Sequence, residues 1–287
     1  MKTLQSIAQL QDWRAKNKDV AFVPTMGNLH EGHLALVNLA RQHARKVVVS
    51  IFVNPLQFGP DEDFALYPRT LAQDTAILNE IKAGVVFAPN VDELFPGPQR
   101  YHIEVPPLAN ELCGRFRPGH FRGVATIVMK LFNLVQPRIA VFGKKDYQQL
   151  SMLRAMAQDF SVPVTILAGE TIRADDGLAL SSRNRYLNAA ERQEAPLLYA
   201  CLTNIKARIL QGERNYAELE QEAQILLSAK GWRVDYVSVR NRDLTSPAPD
   251  SKQLVVLAAA HLGRTRLIDN LEIDLQPVII SLPRVAL

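Results

Sequence analysis

The feature that most constrains this chain is the alternation of short apolar runs with longer helical patterns over its first 170 residues. Runs rich in β-branched residues predict strands at Val20–Val23, Val47–Val53, Val85–Ala88, Ile139–Phe142 and Val164–Leu167. Apolar residues that recur every three or four positions predict helices around 32–44, 70–82, 121–135 and 147–158. Because KVVVSIFV and RIAVFG are continuously apolar, the pattern indicates a mostly parallel sheet with helices on both faces.

The pattern changes after about residue 170. Helical stretches at 189–211 and 215–229 are followed by three strand-like runs, WRVDYVSVR, QLVVLAAAHL and TRLIDNLEI. The first of these helices opens on Asn188 and Glu191, which have the spacing of a capping box. Helices followed by neighbouring strands are typical of a small α+β domain. The sequence therefore predicts a Rossmann-like α/β domain over 1–171 and a smaller C-terminal α+β domain over 172–287.

Composition places the chain among ordinary globular proteins, with 47% hydrophobic and 22% charged residues among 287. The net charge of +4 comes from basic residues interspersed with acidic ones, which fits small anionic substrates and gives no basic tract for nucleic acid. No run reaches the ~18 apolar residues of a membrane span. Cys113 and Cys201 lack a metal or redox spacing, so we expect reduced thiols and a cytoplasmic protein without nucleic-acid or membrane partners.

Two histidines, His30 and His33, lie where the first predicted strand gives way to a helical pattern, in PTMGNLHEGH. The N-terminus of a helix offers unpaired N–H groups and a positive dipole end, which favour a bound phosphate. Side chains at this spacing face the same side of a helix, and Gly32 between them permits a close approach to the backbone. An isolated pair also fits a structural role at the helix start, with one histidine capping it. HEGH supplies only two ligands, which disfavours a metal site.

The HxGH element after the first strand resembles the ATP-binding signature of the nucleotidyltransferase superfamily. Further blocks follow in order: SIFVNPLQF (50–58), YPRT (67–70), RPGHFRGVATIV (117–128), FGKKDYQQL (142–150) and DGLALSSRNRYL (176–187). Together with VPTMGNLHEGH (23–33), they resemble the pantoate–β-alanine ligase family across essentially the whole chain. The resemblance implies an enzyme that condenses pantoate with β-alanine through an enzyme-bound pantoyl adenylate, consuming ATP with Mg²⁺ and releasing AMP and pyrophosphate. It also implies a homodimer.

The resemblance assigns residues of this chain to each substrate. The residues expected to contact ATP are Pro24, Thr25, Met26, Gly27, His30, His33, Gly143, Lys145, Asp146, Ile172, Leu180, Ser181, Ser182 and Arg183. Those expected to act in catalysis are His30, His33, Lys145, Ser181, Ser182 and Arg183. Those expected to contact pantoate are Met26, Asn54, Gln57, Phe58, Arg117, His120 and Gln149. Asp74, in the helix after YPRT, is a candidate support for the metal, and the C-terminal domain is expected to act as a lid that carries SSRN.

The residue types suit this chemistry. A carboxylate that attacks the α-phosphorus of ATP meets like-charge repulsion. The protein must therefore position the two substrates and neutralise their negative charge, and it need not supply a nucleophile. The amides of Gln57 and Gln149 suit neutral hydroxyls, and the Arg183 fork suits phosphate oxygens. Taken alone, GKKD also fits a glycine turn with an N-cap aspartate, and SSRN also fits a serine turn.

Three other functions compete with the ligase. A nucleotidyltransferase that keeps the nucleoside monophosphate on its product shares HxGH, and analysis of the products separates the two. A class I aminoacyl-tRNA synthetase needs a tRNA-reading domain, for which the C-terminal region offers no dense basic face. A non-catalytic ATP-binding module would bind ATP without pantoate-dependent release of pyrophosphate.

Overall fold

A computed structural model describes residues 1–60 and 62–275, and the chain divides into two units, Met1–Gln193 and Glu194–Leu287. Residues 276–287, the end of the predicted second domain, lie outside the described residues. The division falls later than the predicted boundary between 171 and 172. The SSRN loop therefore belongs to the first unit, whereas the sequence prediction placed it in the second. The physical reason is that Ser182 bonds to the first strand–helix loop of the same unit, through the carbonyl of Asn28.

The first unit is built around a six-stranded parallel sheet with strand order β1-β4-β3-β2-β5-β6. The strands are β1 (Lys2–Leu4), β2 (Val20–Thr25), β3 (Lys46–Ile51), β4 (Val85–Phe87), β5 (Ile139–Gly143) and β6 (Thr165–Gly169). In the register, Pro24 lies beside Ser50 and Ala21 lies beside Ile139. The order reverses at β2, between β3 and β5. Ligands of open α/β sheets bind at such a switch point, beyond the carboxyl ends of the strands.

Helices cover both faces of this sheet, which confirms the predicted fold class. They are α1 (Ile7–Lys16), α2 (Glu31–His43), α3 (Leu71–Glu80), α4 (Val91–Leu94), α5 (Cys113–Phe116), α6 (His120–Val135) and α7 (Tyr147–Asp159). Alternate residues of one strand face opposite sides. Phe22 accordingly packs in a buried cluster with Leu131 of α6, and its neighbour Val23 packs in another with Val37 of α2. Helix α8 (Ala189–Glu194) follows at the end of this unit.

The second unit packs two helices with a three-stranded antiparallel sheet of order β7-β8-β9. Its elements are α9 (Leu197–Leu210), α10 (Tyr216–Ala229), β7 (Arg233–Asn241), β8 (Gln253–Leu262) and β9 (Thr265–Asp274). Helix side chains satisfy backbone groups of both edge strands. Glu220 Oε1 accepts from Val239 N at 2.6 Å, and Lys206 Nζ donates to Glu272 O at 2.9 Å. Edge strands covered in this way are poor templates for pairing with another chain.

The structure differs locally from the sequence prediction in the break of one helix and in several short elements. The helix predicted over 189–211 is interrupted before Leu197, because Pro196 has no N–H to donate and its ring crowds the preceding turn. The capping box at its start is confirmed: Asn188 N bonds to Glu191 Oε2, and Glu191 N to Asn188 Oδ1, both at 2.9 Å. Elements β1, α1, α4 and α5 were not predicted. No helix among the described residues is long and apolar enough to cross a membrane.

Candidate active site

A cavity of about 230 Å³ lies in the first unit, where β2, β3 and β5 end. The predicted site residues that line it are Pro24, Thr25, Met26, His30, His33, Asn54, Gln57, Arg117, His120, Gly143, Lys145, Asp146, Gln149, Ile172, Leu180, Ser181, Ser182 and Arg183. The predicted residues Gly27, Phe58 and Asp74 are not in its walls. The structure thus brings motifs that are far apart in the sequence together at the carboxyl ends of the strands.

The histidine pair forms a reciprocal cap on α2. His30 Nδ1 accepts from Gly32 N at 3.2 Å, and His33 Nδ1 accepts from His30 N at 3.3 Å. A backbone amide can only donate, so each Nδ1 is an acceptor and the proton of each neutral ring sits on Nε2. The structural role considered for these residues is therefore present. It leaves Nε2–H of each ring as the donor that a ligand can use.

Both histidine rings are neutral near pH 7. Burial is the largest cause that lowers the pKa of His30 to about 4, and the charge of Lys145 adds to it. Burial likewise lowers the pKa of His33 to about 3, with a further contribution from His30. The ring centroids lie 4.1 Å apart. The pair consequently offers an anion two neutral N–H groups, and the positive charge of the site comes from elsewhere.

Asp74 supports the loop that carries the histidines. It is buried, and its Oδ1 accepts from Leu29 N at 2.8 Å while Oδ2 accepts from Asn28 N at 2.9 Å and Thr70 Oγ1 at 3.0 Å. A Cβ at Gly27, where φ is +81°, would lie 2.9 Å from Asp74 Oδ2, so glycine is required there. No three metal-binding side chains cluster among the described residues. These contacts give Asp74 a loop-supporting role, and its predicted metal role stays a prediction.

Asp146 begins α7 at the mouth of the cavity. It occupies the N-cap position but makes no side-chain capping bond, and it is exposed. The structural alternative for this aspartate was a cap, and the geometry does not provide one. Asp146 lines the cavity, and its contact with ribose hydroxyls stays a prediction.

Arg117 and His120 form a buried network with the acidic segment before α3. Arg117 pairs with both oxygens of Glu62, at 2.8 Å and 2.6 Å, and its Nη1 donates to His120 Nε2 at 2.9 Å. His120 Nδ1 then donates to Gln57 O at 2.8 Å. Burial, followed by the charge of Arg117, lowers the pKa of His120 to about 3. Because Arg117 already faces a carboxylate, its contact with pantoate stays a prediction.

Arg183 is held in the same manner. Its Nε and Nη2 pair with the two oxygens of Asp63, at 3.1 Å and 2.9 Å, and the guanidinium lies 6.0 Å from the centre of the Tyr67 ring. Burial lowers the pKa of Arg183, but the Asp63 carboxylate more than offsets this, so the pKa lies above its ordinary value. A phosphate that binds Arg183 must share this fork with Asp63 or displace it.

The turn after β3 presents Gln57. Asn54 is buried and donates to Gln57 Oε1 at 3.0 Å and to Gly123 O at 3.2 Å, and Gln57 Nε2 contacts Met26 Sδ at 3.1 Å. Asn54 therefore acts mainly as the support of this turn. Phe58 packs against other aromatic rings, 5.3 Å from the centre of Phe64, which explains why it is not in the cavity wall.

The residues at or around this cavity that were not predicted include four polar ones. Tyr67 and Ser50 line the cavity, Asn28 bonds to the SSRN loop, and Asp63 holds Arg183. The hydroxyl of Ser50 is buried and has no hydrogen-bond partner among the described residues. The YPRT block contains Tyr67, so the motif could have indicated it. A single serine within an apolar strand gives no comparable pattern.

The fold and the cavity define a doubly wound α/β protein with a ligand site at the switch point of its sheet. Comparison with known proteins is more specific: the family described as Pantoate-beta-alanine ligase matches residues 1–272. The pantothenate synthetase of Neisseria meningitidis serogroup C is 57% identical over 277 residues, which are 96% of this chain and 100% of the relative. That of Nitrosospira multiformis is 56% identical over 274 residues, 95% of this chain and 98% of the relative.

Solved structures of the same family are also similar to this chain. The pantothenate synthetase of Thermus thermophilus superimposes with a TM-score of 0.89 at 44% identity, covering 94% of this chain and 99% of that one. A pantoate-β-alanine ligase from Francisella tularensis, complexed with β-γ ATP and β-alanine, has a TM-score of 0.77 at 32% identity, covering 94% and 97%. The chain belongs to the pantoate–β-alanine ligase family. The protein is an enzyme of pantothenate formation.

Proposed function

We propose that this ligase works in two steps at the cavity of its first unit, with ATP as the activating substrate. In the first, a carboxylate oxygen of pantoate attacks the α-phosphorus of ATP, and the bond to pyrophosphate breaks. In the second, the amine of β-alanine attacks the acyl carbon, loses a proton, and AMP leaves with the bonding electrons. The observation that carries the proposal is the pair of neutral histidine donors that cap α2 beside Lys145 in one cavity.

The residues of this chain position the substrates and stabilise charge. The Nε2–H groups of His30 and His33 suit oxygens on the transferring phosphate, because fixed donors at a partly buried site stabilise the charge that develops there. Lys145 and Arg183 supply positive charge. The hydroxyls of Ser181 and Ser182 line the same cavity. The Francisella tularensis ligase was crystallised with β-γ ATP, which supports ATP as the nucleotide here.

Pantoate is assigned to the part of the cavity where Gln57 and Gln149 offer donors and acceptors to its two hydroxyls. Met26, Asn54, Phe58, Arg117 and His120 were assigned to the same substrate. Of these, all but Phe58 line the cavity, and Met26 contacts Gln57. Neutral amides are suited to hydroxyls because an amide carries both a donor and an acceptor, as a hydroxyl does.

Mg²⁺ is proposed to arrive with ATP, on its phosphate oxygens, as a part of the substrate. We assign it no site on the chain, since the described residues form no three-ligand cluster. A homodimer, a cytoplasmic location and a lid role for the C-terminal unit stay predictions from the family resemblance.

The first testable prediction concerns the reaction products. With ATP and pantoate alone, the enzyme should release pyrophosphate and catalyse pantoate-dependent exchange of labelled pyrophosphate into ATP. Addition of β-alanine should then release AMP and pantothenate in equal amounts. A reaction without pantoate is the control and should give neither product. Release of ADP and phosphate would instead indicate an acyl phosphate and would rule out the adenylate.

A further inference from the structure

Two loops with proposed phosphate contacts meet at one asparagine. We call residues 24–33 the histidine loop and residues 181–186 the serine loop. We infer that Asn28 is a positioning residue that fixes the serine loop against the histidine loop and thereby sets the affinity of the enzyme for ATP. The inference rests on the proposed function for its kinetic part only.

The contacts between the loops are reciprocal. Ser182 Oγ donates to Asn28 O at 3.1 Å, and Asn28 Nδ2 donates to Ser182 O at 3.4 Å. Arg185 Nη1 also donates to Asn28 Oδ1, at 3.2 Å. Both ends of the amide and the backbone carbonyl of one residue are therefore used to hold a segment 154 positions away in the sequence.

The backbone of Asn28 is itself constrained. Its φ is +52°, in the left-handed region, which asparagine tolerates better than most residues. Its N–H donates to Asp74 Oδ2 at 2.9 Å. Asn28 thus links the buried carboxylate under the histidine loop to the serine loop above it. Glycine would keep this backbone shape and remove only the side-chain contacts.

The bond from Ser182 has a chemical consequence. A hydroxyl has one proton to donate, and Ser182 gives it to the carbonyl of Asn28. Ser182 can then only accept hydrogen bonds while this contact holds, so its proposed role is to place its neighbours. Next to it, Arg183 lines the cavity, with its guanidinium held by Asp63. A displacement of the serine loop would therefore move the Arg183 guanidinium, which is proposed to bind the phosphates.

Pantoate should depend little on this contact. Met26 of the histidine loop touches Gln57, but the backbone bond from residue 28 to Asp74, which glycine keeps, still holds that loop. The amides proposed to bind it come from the turn after β3 and from α7, and neither element contributes to the bonds of Asn28. Loss of the Asn28 side chain should raise KM for ATP and leave KM for pantoate nearly unchanged. A general loss of folding would raise both or lower the amount of active enzyme, so the two effects are distinct.

The test uses Asn28→Gly in the full-length enzyme. We expect KM for ATP to rise about 3- to 10-fold, the scale of losing one long hydrogen bond and one exposed bond from Arg185, and KM for pantoate to change less than about 2-fold. In the ligand-free protein, amide hydrogen exchange across residues 181–186 should become faster. This exchange measurement needs no catalytic activity, and pyrophosphate release by the unsubstituted enzyme reports separately on the proposed function.

Two further variants sharpen the test. Arg185→Met removes one bond to Asn28. In the double variant with Asn28→Gly, the change in the free energy of ATP use should be smaller than the sum of the two single changes, because both variants remove the same contact. Gln136→Gly, at a helix end where φ is +46°, is the matched control for a new glycine and should leave both KM values unchanged. Equal rises in both KM values, or unchanged exchange of the serine loop in Asn28→Gly, would overturn the inference.

Discussion

At the scale of single residues, His30 and His33 show how one side chain can serve both the fold and the chemistry. Nδ1 of each ring accepts from the backbone at the start of α2, and burial keeps both rings neutral. A neutral imidazole with one nitrogen fixed as acceptor has its donor on the other. The capping role and the ligand-binding role of the HxGH pair are therefore compatible. Because the cap uses Nδ1 as an acceptor, the proton that a ligand can use is on Nε2.

Replacement of either histidine by alanine should lower the rate of pantoate-dependent pyrophosphate release by at least ~10²-fold, the scale of losing one preorganised donor. His30→Asn refines the test, because asparagine is a good N-cap and keeps the helix start. It should restore stability to the level of the unsubstituted enzyme but not the rate. His43→Ala, at the exposed end of the same helix, is the control. A near-normal rate in His33→Ala would leave that ring with a capping role only.

The two glutamines should separate the substrates. Gln57→Ala and Gln149→Ala should each weaken the use of pantoate by ~1–3 kcal/mol, because a substrate hydroxyl that loses its partner in a buried site is left unpaired. ATP binding should change little. Calorimetric titration with ATP, beside steady-state kinetics in pantoate, measures both quantities. Gln158→Ala, on the exposed side of the helix that carries Gln149, is the control. Equal losses for ATP and pantoate would mean that the glutamines shape the whole cavity.

At the scale of elements, the position of Gln57 depends on how closely α6 approaches the turn after β3. A Cβ at Gly123 would lie 2.0 Å from Leu56 O and 2.7 Å from Gln57 N, far inside contact distance. The turn (Pro55–Gln57) is also tied to this helix by the bond from Asn54 to Gly123 O. Only glycine lets the helix and the turn meet at this point.

Gly123→Ala should therefore push the turn away from the helix. We expect a loss of ~1–3 kcal/mol in the free energy of unfolding, the usual cost of overpacking, and a higher KM for pantoate. Urea denaturation and kinetics in pantoate measure the two effects. Gly97→Ala is the matched control, since nothing lies within 4 Å of the Cβ it would add. If Gly123→Ala behaved like Gly97→Ala in both measurements, the turn would not depend on this contact.

The same scale shows which elements a sequence can predict. The buried strands β2, β3 and β5 are continuous apolar runs, and their pattern was sufficient. Helix α1 was not predicted although Ile7, Leu10 and Trp13 recur at helical spacing and pack at the core, because a pattern of three positions in a segment otherwise rich in polar residues is a weak signal. Strand β1 has three residues and forms by pairing with β4, a contact that no local pattern contains. The sequence predicts elements that have a clear apolar pattern of their own. Elements that form by pairing or packing with distant segments are not predicted by local sequence.

At the scale of the whole molecule, the site could be predicted where motifs sit at strand ends, because parallel strands bring their carboxyl ends to one edge. The contacts that hold those motifs could not. Asp63, Asn28 and Asp74 act through partners that are distant in the sequence. For the same reason the SSRN loop was placed in the wrong compact unit: its sequence lies past the last strand of the sheet, while its bonds lead back to the first loop.

The last prediction also concerns the whole molecule, because three histidines of the first unit are neutral in the folded state. The pKa values of His30, His33 and His120 are lowered to about 4, about 3 and about 3, in each case mainly by burial. In the unfolded chain an imidazole titrates near ~6.5. Below that pH the unfolded chain takes up protons that the folded chain does not. The free energy of unfolding must therefore decrease as the pH falls from about 6.5 toward the folded pKa values.

His33 and His120 should each contribute a slope of up to ~1.4 kcal/mol per pH unit in this range, and His30, the least enclosed of the three, should contribute less. Urea unfolding at intervals between pH 7.5 and 5 measures the slope. His120→Gln should be less stable at pH 7.5, because it loses its bonds to Arg117 and Gln57, but its stability should fall less steeply with acid. His43→Gln removes an exposed histidine and should keep the original slope. If the slope of His120→Gln equalled that of the unsubstituted enzyme, His120 would take up its proton in the folded state as readily as in the unfolded chain, and its burial would not explain the acid sensitivity.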